Sequence, residues 1–104
     1  MPKISKAARG KHRWVGLVFS TKFSDINALK DELNHMLKNI NYRLYDYILD
    51  GSHRSCIIKI KLEHYPFVRD MFVPPKEIFS ITSSGKIRLV RLRISEYFER
   101  QVDD

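Results

Sequence analysis

From Trp14 to Ser83 the spacing of apolar residues switches four times between the period of a strand and the period of a helix, which leaves few folds open. Trp14-Val15-Gly16-Leu17-Val18-Phe19 is a β-branched and aromatic run that reads as a strand. Val15, Leu17 and Phe19 share one face, and Trp14, Gly16 and Val18 share the other. Gly16 inside it signals a bend or a close backbone approach. Ser24 stands where a helix cap belongs, ahead of Ile26, Leu29, Leu33, Met36, Leu37 and Ile40 at three- and four-residue steps. Tyr42 to Leu49 returns to strand character, Asp50-Gly51 supplies a turn, and Arg54 to Leu62 is the partner strand. There Cys56, Ile58, Ile60 and Leu62 face one way, while Ile57, Lys59 and Lys61 face the other. His64-Tyr65-Pro66 opens a short helix with Phe67, Val68, Met71 and Phe72 as its apolar side, and Pro74-Pro75 ends it. Glu77 to Ser83 reads as a further strand, broken by Ser83-Ser84-Gly85. From Lys86 to Gln101, Ile87, Val90, Ile94, Tyr97 and Phe98 gather on one side of a helical wheel. A strand alternating Val90, Leu92 and Ile94 with Arg91 and Arg93 is the other reading, and the length of the stretch favours the helix.

The order β-α-β-β-α-β defines an α+β chain of the ferredoxin-like arrangement: a four-stranded antiparallel sheet, two helices on one face, the other face free, and an added C-terminal helix. With 104 residues the chain makes one domain. Residues 1–12 are expected to form a flexible basic tail and residues 13–104 the domain.

The net charge of +7 is concentrated at the two ends. Lys3, Lys6, Arg9, Lys11 and Arg13 meet no acid in the first thirteen residues, and Lys86, Arg88, Arg91 and Arg93 fall within eight residues near the other end. The stretch 14–85 is nearly neutral. Basic flanks on a neutral body suit a polyanion, because each cation set on a phosphate releases a condensed counterion. Lys59 and Lys61 add a cationic strand face.

Chemistry of other kinds finds little footing. His12, His35, His53 and His64 have no second ligand at metal spacing, and the single cysteine, Cys56, completes neither a zinc cage nor a disulfide. No glycine-rich loop precedes a helix, and Ser83 and Ser84 lack a basic neighbour in a strained elbow. No catalytic or metal-binding residue is expected, and no cofactor held by the protein. The strand Arg54 to Leu62 carries no aromatic residue, so base stacking of the kind RNA-recognition modules use is not expected there. With apolar runs of only a few residues and one buried cysteine, the chain reads as a cytoplasmic protein without a membrane span.

Several local strings resemble the small ferredoxin-like protein subunit of archaeal and eukaryal ribonuclease P. His12-Arg13-Trp14-Val15 is similar to that family's basic-aromatic lead into its first strand. Ser84-Gly85-Lys86-Ile87-Arg88 resembles its turn into a basic helix, with Lys86 in place of the usual threonine. The resemblance covers roughly residues 12–100. It implies a non-catalytic subunit that supports the catalytic RNA in maturing the 5′ end of precursor tRNA, with Mg²⁺ held by the RNA. A larger barrel-shaped protein subunit is the implied partner, in a heterodimer that can double to a heterotetramer. The implied RNA-binding set is Lys3, Lys6, Arg9, Lys11, Arg13, Lys59, Lys61, Lys86, Arg88, Arg91 and Arg93. The apolar surface around Trp14, Tyr45 and Tyr47 is the candidate protein-partner site. A free-standing nucleic-acid-binding domain, or a protein-interaction module with incidental charge, are the alternatives.

Overall fold

The computed structural model describes residues 11–74 and 76–102. Its elements are strand β1 (His12–Phe19), helix α1 (Ile26–Met36), strands β2 (Arg43–Asp50) and β3 (His53–Lys61), helix α2 (Tyr65–Met71), strand β4 (Ile78–Ser84) and helix α3 (Ile87–Val102). A single 3₁₀ turn, Leu62–His64, joins β3 to α2. One four-stranded sheet runs β2-β3-β1-β4, and each neighbouring pair is antiparallel. The element order and the terminal helix thus agree with the sequence reading. Residues 1–10, with Lys3, Lys6 and Arg9, lie outside the described residues. The sheet begins earlier than the expected tail boundary: His12 is already in β1, and the carbonyl of Lys11 accepts from the amide of Leu62 at 3.3 Å.

Helix α1 starts one residue later than the sequence suggested. Asp25, not Ser24, is the cap: its backbone is extended and its Oδ1 accepts from the amide of Ala28 at 2.8 Å, satisfying an orphan donor of the first turn. Leu29, Leu33, Leu37 and Ile40 then lie buried against Val15, Leu17 and Phe19 of β1 and Cys56, Ile58 and Ile60 of β3. Helix α2 adds Val68 and Phe72 to the same core, with Pro66 in its first turn. Phe67, expected on the apolar side of α2, turns outward and is 59% exposed.

The second face of the sheet is not free. Helix α3 lies across it and buries Val90 and Ile94 against Ile57, with Trp14, Tyr45, Ile81, Ile87 and Phe98 packed around them. The result is three layers: α1 and α2, the sheet, then α3. The physical reason lies in β3, where Cys56, Ile57 and Ile58 follow one another and are all fully buried. A strand facing water on one side alternates, whereas a continuous apolar run needs cover on both. Gly16 permits the close seating of α3. A Cβ there would lie 2.9 Å from Thr82 Cγ2, 3.0 Å from Val90 Cγ1 and 3.1 Å from Ile94 Cδ1.

Two irregularities set which side chains share a face. In β4, Ile81 is an extra residue between the pairs Gly16–Thr82 and Leu17–Ser80. In β2, Asp46 and Tyr47 together oppose the single residue Cys56, and Asp46 takes φ +52°. That bulge separates Tyr45 from Tyr47. Tyr45 packs under α3 beside Trp14, while Tyr47 stacks on Phe19 in the core under α1 and α2, with ring centroids 5.7 Å apart.

Candidate nucleic-acid interface

Antiparallel pairing brings the starts of β1 and β2 and the ends of β3 and β4 to one end of the sheet. The register there sets His12 against Lys61, Trp14 against Lys59, and Arg43 against Lys59. These five side chains stand on the face that α3 crosses. Helix α3, however, begins just beyond Ser84 at the β4 edge and reaches the β2–β3 hairpin at its far end, where Phe98 stacks on His53 at 3.9 Å. Its diagonal path leaves the corner of Arg43, Lys59, Lys61 and His12 open. A cleft of about 370 Å³ is found there, lined by His12, Asn41, Tyr42, Arg43, Lys59, Ile60 and Lys61, with no carboxylate in its wall. Lys86 and Arg88, both exposed, start α3 at the same end of the sheet.

The sequence-derived cations therefore divide. Lys59 and Lys61 stand in the open corner, with Lys59 Nζ 5.1 Å from the centre of the Trp14 ring. Lys11, exposed, leads into it. Arg13 points to the opposite face: its guanidinium lies 5.0 Å from the Tyr65 ring centre, and its buried Nε has no hydrogen-bond partner among the described residues. Arg91 is committed to Asp46 through two hydrogen bonds of 2.6 and 3.2 Å. That pairing raises its already high pKa. Arg93 donates to Thr82 Oγ1 at 3.2 Å and to the Ser83 carbonyl at 3.1 Å, so it ties α3 to β4. Arg88 makes no ion pair among the described residues.

Arg43 and His12 are members that sequence reasoning missed. His12 was legible in principle, two residues before Trp14 on an alternating strand. Arg43 was not, because the bulge decides its face. The candidate partner patch of Trp14, Tyr45 and Tyr47 does not exist as one surface. Trp14 and Tyr45 meet edge to face at 5.0 Å, but Tyr47 lies on the other side of the sheet because the bulge reverses the alternation between them.

Among the described residues no group of histidines, cysteines and carboxylates could hold a metal ion. Cys56 is buried, and burial pushes its thiol up to about 12, so it is a packed hydrophobe in the fold. No helix among the described residues is long and apolar enough to cross a membrane. A cationic corner lined by Arg43, Lys59 and Lys61 is suited to holding phosphates. Comparison with protein families, with curated proteins and with solved structures finds no match.

Proposed function

We propose that this chain is an RNA-binding, non-catalytic protein subunit of ribonuclease P, acting in 5′ maturation of precursor tRNA in the cytoplasm. The observation that carries the reading is the carboxylate-free cleft where Arg43, Lys59, Lys61 and His12 meet, with Lys11, Lys86 and Arg88 at the same end of the sheet. Such a site supplies charge and shape to a polyanion and leaves the chemistry to it. The antiparallel order β2-β3-β1-β4, with β1 and β3 central and two βαβ units interleaved, supports a ferredoxin-like fold. The strings His12-Arg13-Trp14-Val15 and Ser84-Gly85-Lys86-Ile87-Arg88 support the family. A larger barrel-shaped protein subunit, and a heterodimer that doubles, belong to this reading.

Reconstitution tests it. The protein alone is expected to leave precursor tRNA intact, and to raise cleavage by its cognate RNA when Mg²⁺ is limiting. RNA binding without any gain in cleavage would favour a free-standing nucleic-acid-binding domain. Binding that does not respond to salt would end both readings, because phosphate contacts make affinity fall with ionic strength.

A further inference from the structure

We propose that the RNA held at this corner is a helical duplex, gripped by its phosphate backbone, and that the sheet does not stack unpaired bases; this rests on the RNA-binding reading above. Sheets of this size read single strands by presenting bare aromatic rings on an open face. Here that face is filled. Helix α3 covers its centre with Val90 and Ile94. The aromatic rings at the cationic corner are already engaged: Tyr42, in the cleft wall, packs against the core and its hydroxyl donates to Asn34 Oδ1 at 2.7 Å. Trp14 meets the Tyr45 ring edge to face at 5.0 Å, and the Lys59 ammonium stands 5.1 Å from the Trp14 ring centre. At the far end of α3, Phe98 is taken by His53 at 3.9 Å and by Tyr97 at 5.0 Å. The strongly exposed Phe67 sits on α2, in the layer on the opposite side of the sheet.

What remains accessible at the corner is charge. Arg43 on β2, Lys59 and Lys61 on β3, and Lys86 and Arg88 just past β4 stand at one end of the sheet and span its width, with the His12 ring on β1 among them. Three strand spacings make that span about 14 Å wide. A span of cations without a stacking platform fits a regular line of phosphates, which a duplex presents and a flexible single strand must be ordered to provide. Strand pairing fixes the backbone beneath Arg43, Lys59 and Lys61, so a preformed RNA helix meets them with less ordering loss than a flexible strand.

The test compares two fluorescently end-labelled RNAs with the full chain: a fully paired 16-base-pair hairpin and an unstructured single strand with the same number of phosphates. The hairpin is expected to bind about tenfold tighter or better at equal salt. Trp14, the one tryptophan of the chain, gives an independent reading. Its emission should change little on saturation with the hairpin, since no base reaches its ring. Equal or tighter binding of the single strand, or strong quenching of Trp14 by it, would overturn the inference while leaving RNA binding in place. Failure to bind either RNA in dilute buffer would instead overturn the functional reading. Arg43→Gln with Lys59→Gln and Lys61→Gln should flatten the salt dependence for the hairpin by about three phosphate contacts. An unchanged slope would remove this corner from the interface and sink the inference.

Discussion

Asp46 and Arg91, forty-five residues apart in the chain, form a two-pronged ion pair in which Arg91 Nε donates to Oδ2 at 2.6 Å and Nη2 to Oδ1 at 3.2 Å. It fastens the second turn of α3 to the edge strand β2. It also removes one arginine from the charge available to a ligand, although the sequence counts it with its basic neighbours.

Arg88 and Arg91 should therefore differ in their effect on the proposed RNA binding. Arg88→Gln is expected to lower the slope of log affinity against log salt by about one. Arg91→Gln should leave that slope nearly unchanged and lower the melting temperature instead. Paired titrations at several salt concentrations, with thermal melts, separate the two. Equal slope losses would mean that Arg91 leaves Asp46 when RNA binds.

The backbone at Asp46 makes a second prediction. At φ +52° an asparagine is tolerated, whereas a β-branched residue is strained by about 1–2 kcal/mol. Both Asp46→Asn and Asp46→Val lose the charge. Val should be less stable than Asn in urea titrations by roughly that amount. Equal stabilities would show that the bulge rearranges.

Gly16→Ala should destabilise the fold by about 1–3 kcal/mol, the usual range for overpacking. The added methyl meets Thr82, Val90 and Ile94 together, and all three are β-branched and stiff at χ1. Because the crowding falls between β1 and α3, near-ultraviolet circular dichroism of Trp14 should change as well. A variant as stable as the parent would mean that α3 shifts without penalty.

His53 predicts an acid-side weakness. Burial lowers its pKa below 6.5, and the nearby Asp50 only partly opposes this. A lowered pKa in the folded state means that the neutral ring is favoured there. The stability it contributes is complete above 6.5 and is lost as pH falls below that value. His53→Phe, which keeps a ring against Phe98, should remove this part of the pH dependence between pH 7 and 5. Parallel curves for parent and variant would exclude His53 as its source.

Cys56 predicts the converse at high pH. Its thiol rises from 9.0 to about 12 in the fold, so the protonated form is favoured there. Its contribution is complete below 9.0 and is lost as pH rises from 9.0 toward 12. The native protein should resist a thiol reagent at pH 8, and Cys56→Ala should narrow its stability deficit against the parent above pH 9. Rapid labelling of the native state would contradict the burial of this side chain.

The sequence carried much of the architecture, and its failures have physical causes. Alternation in β1 and β3 assigned Val15, Leu17, Cys56, Ile58 and Lys59 to their observed faces, because nothing interrupts the period of two in those stretches. The covering role of α3 was present in the unbroken run Cys56-Ile57-Ile58 but was outweighed by the two lysines that follow. Arg43 was hidden for a different reason. Counting back from the turn at Gly51 places it opposite Ile60, on the core side; the extra residue at Asp46–Tyr47 moves it opposite Lys59. Bulges depend on tertiary packing, so local composition does not announce them. Likewise, adjacency in the basic run could not reveal that Arg91 and Arg93 are bound to Asp46, Thr82 and Ser83.

That same kink has a protective side. β2 is an outer strand, and its Ile48 and Leu49 are 36% and 42% exposed, an invitation to stray strands in a crowded solution. With the left-handed Asp46 breaking the regular row of amides and carbonyls just before them, a foreign chain finds no straight template to extend. Straightening this edge would offer stray strands a flat template and make the chain a seed for aggregates.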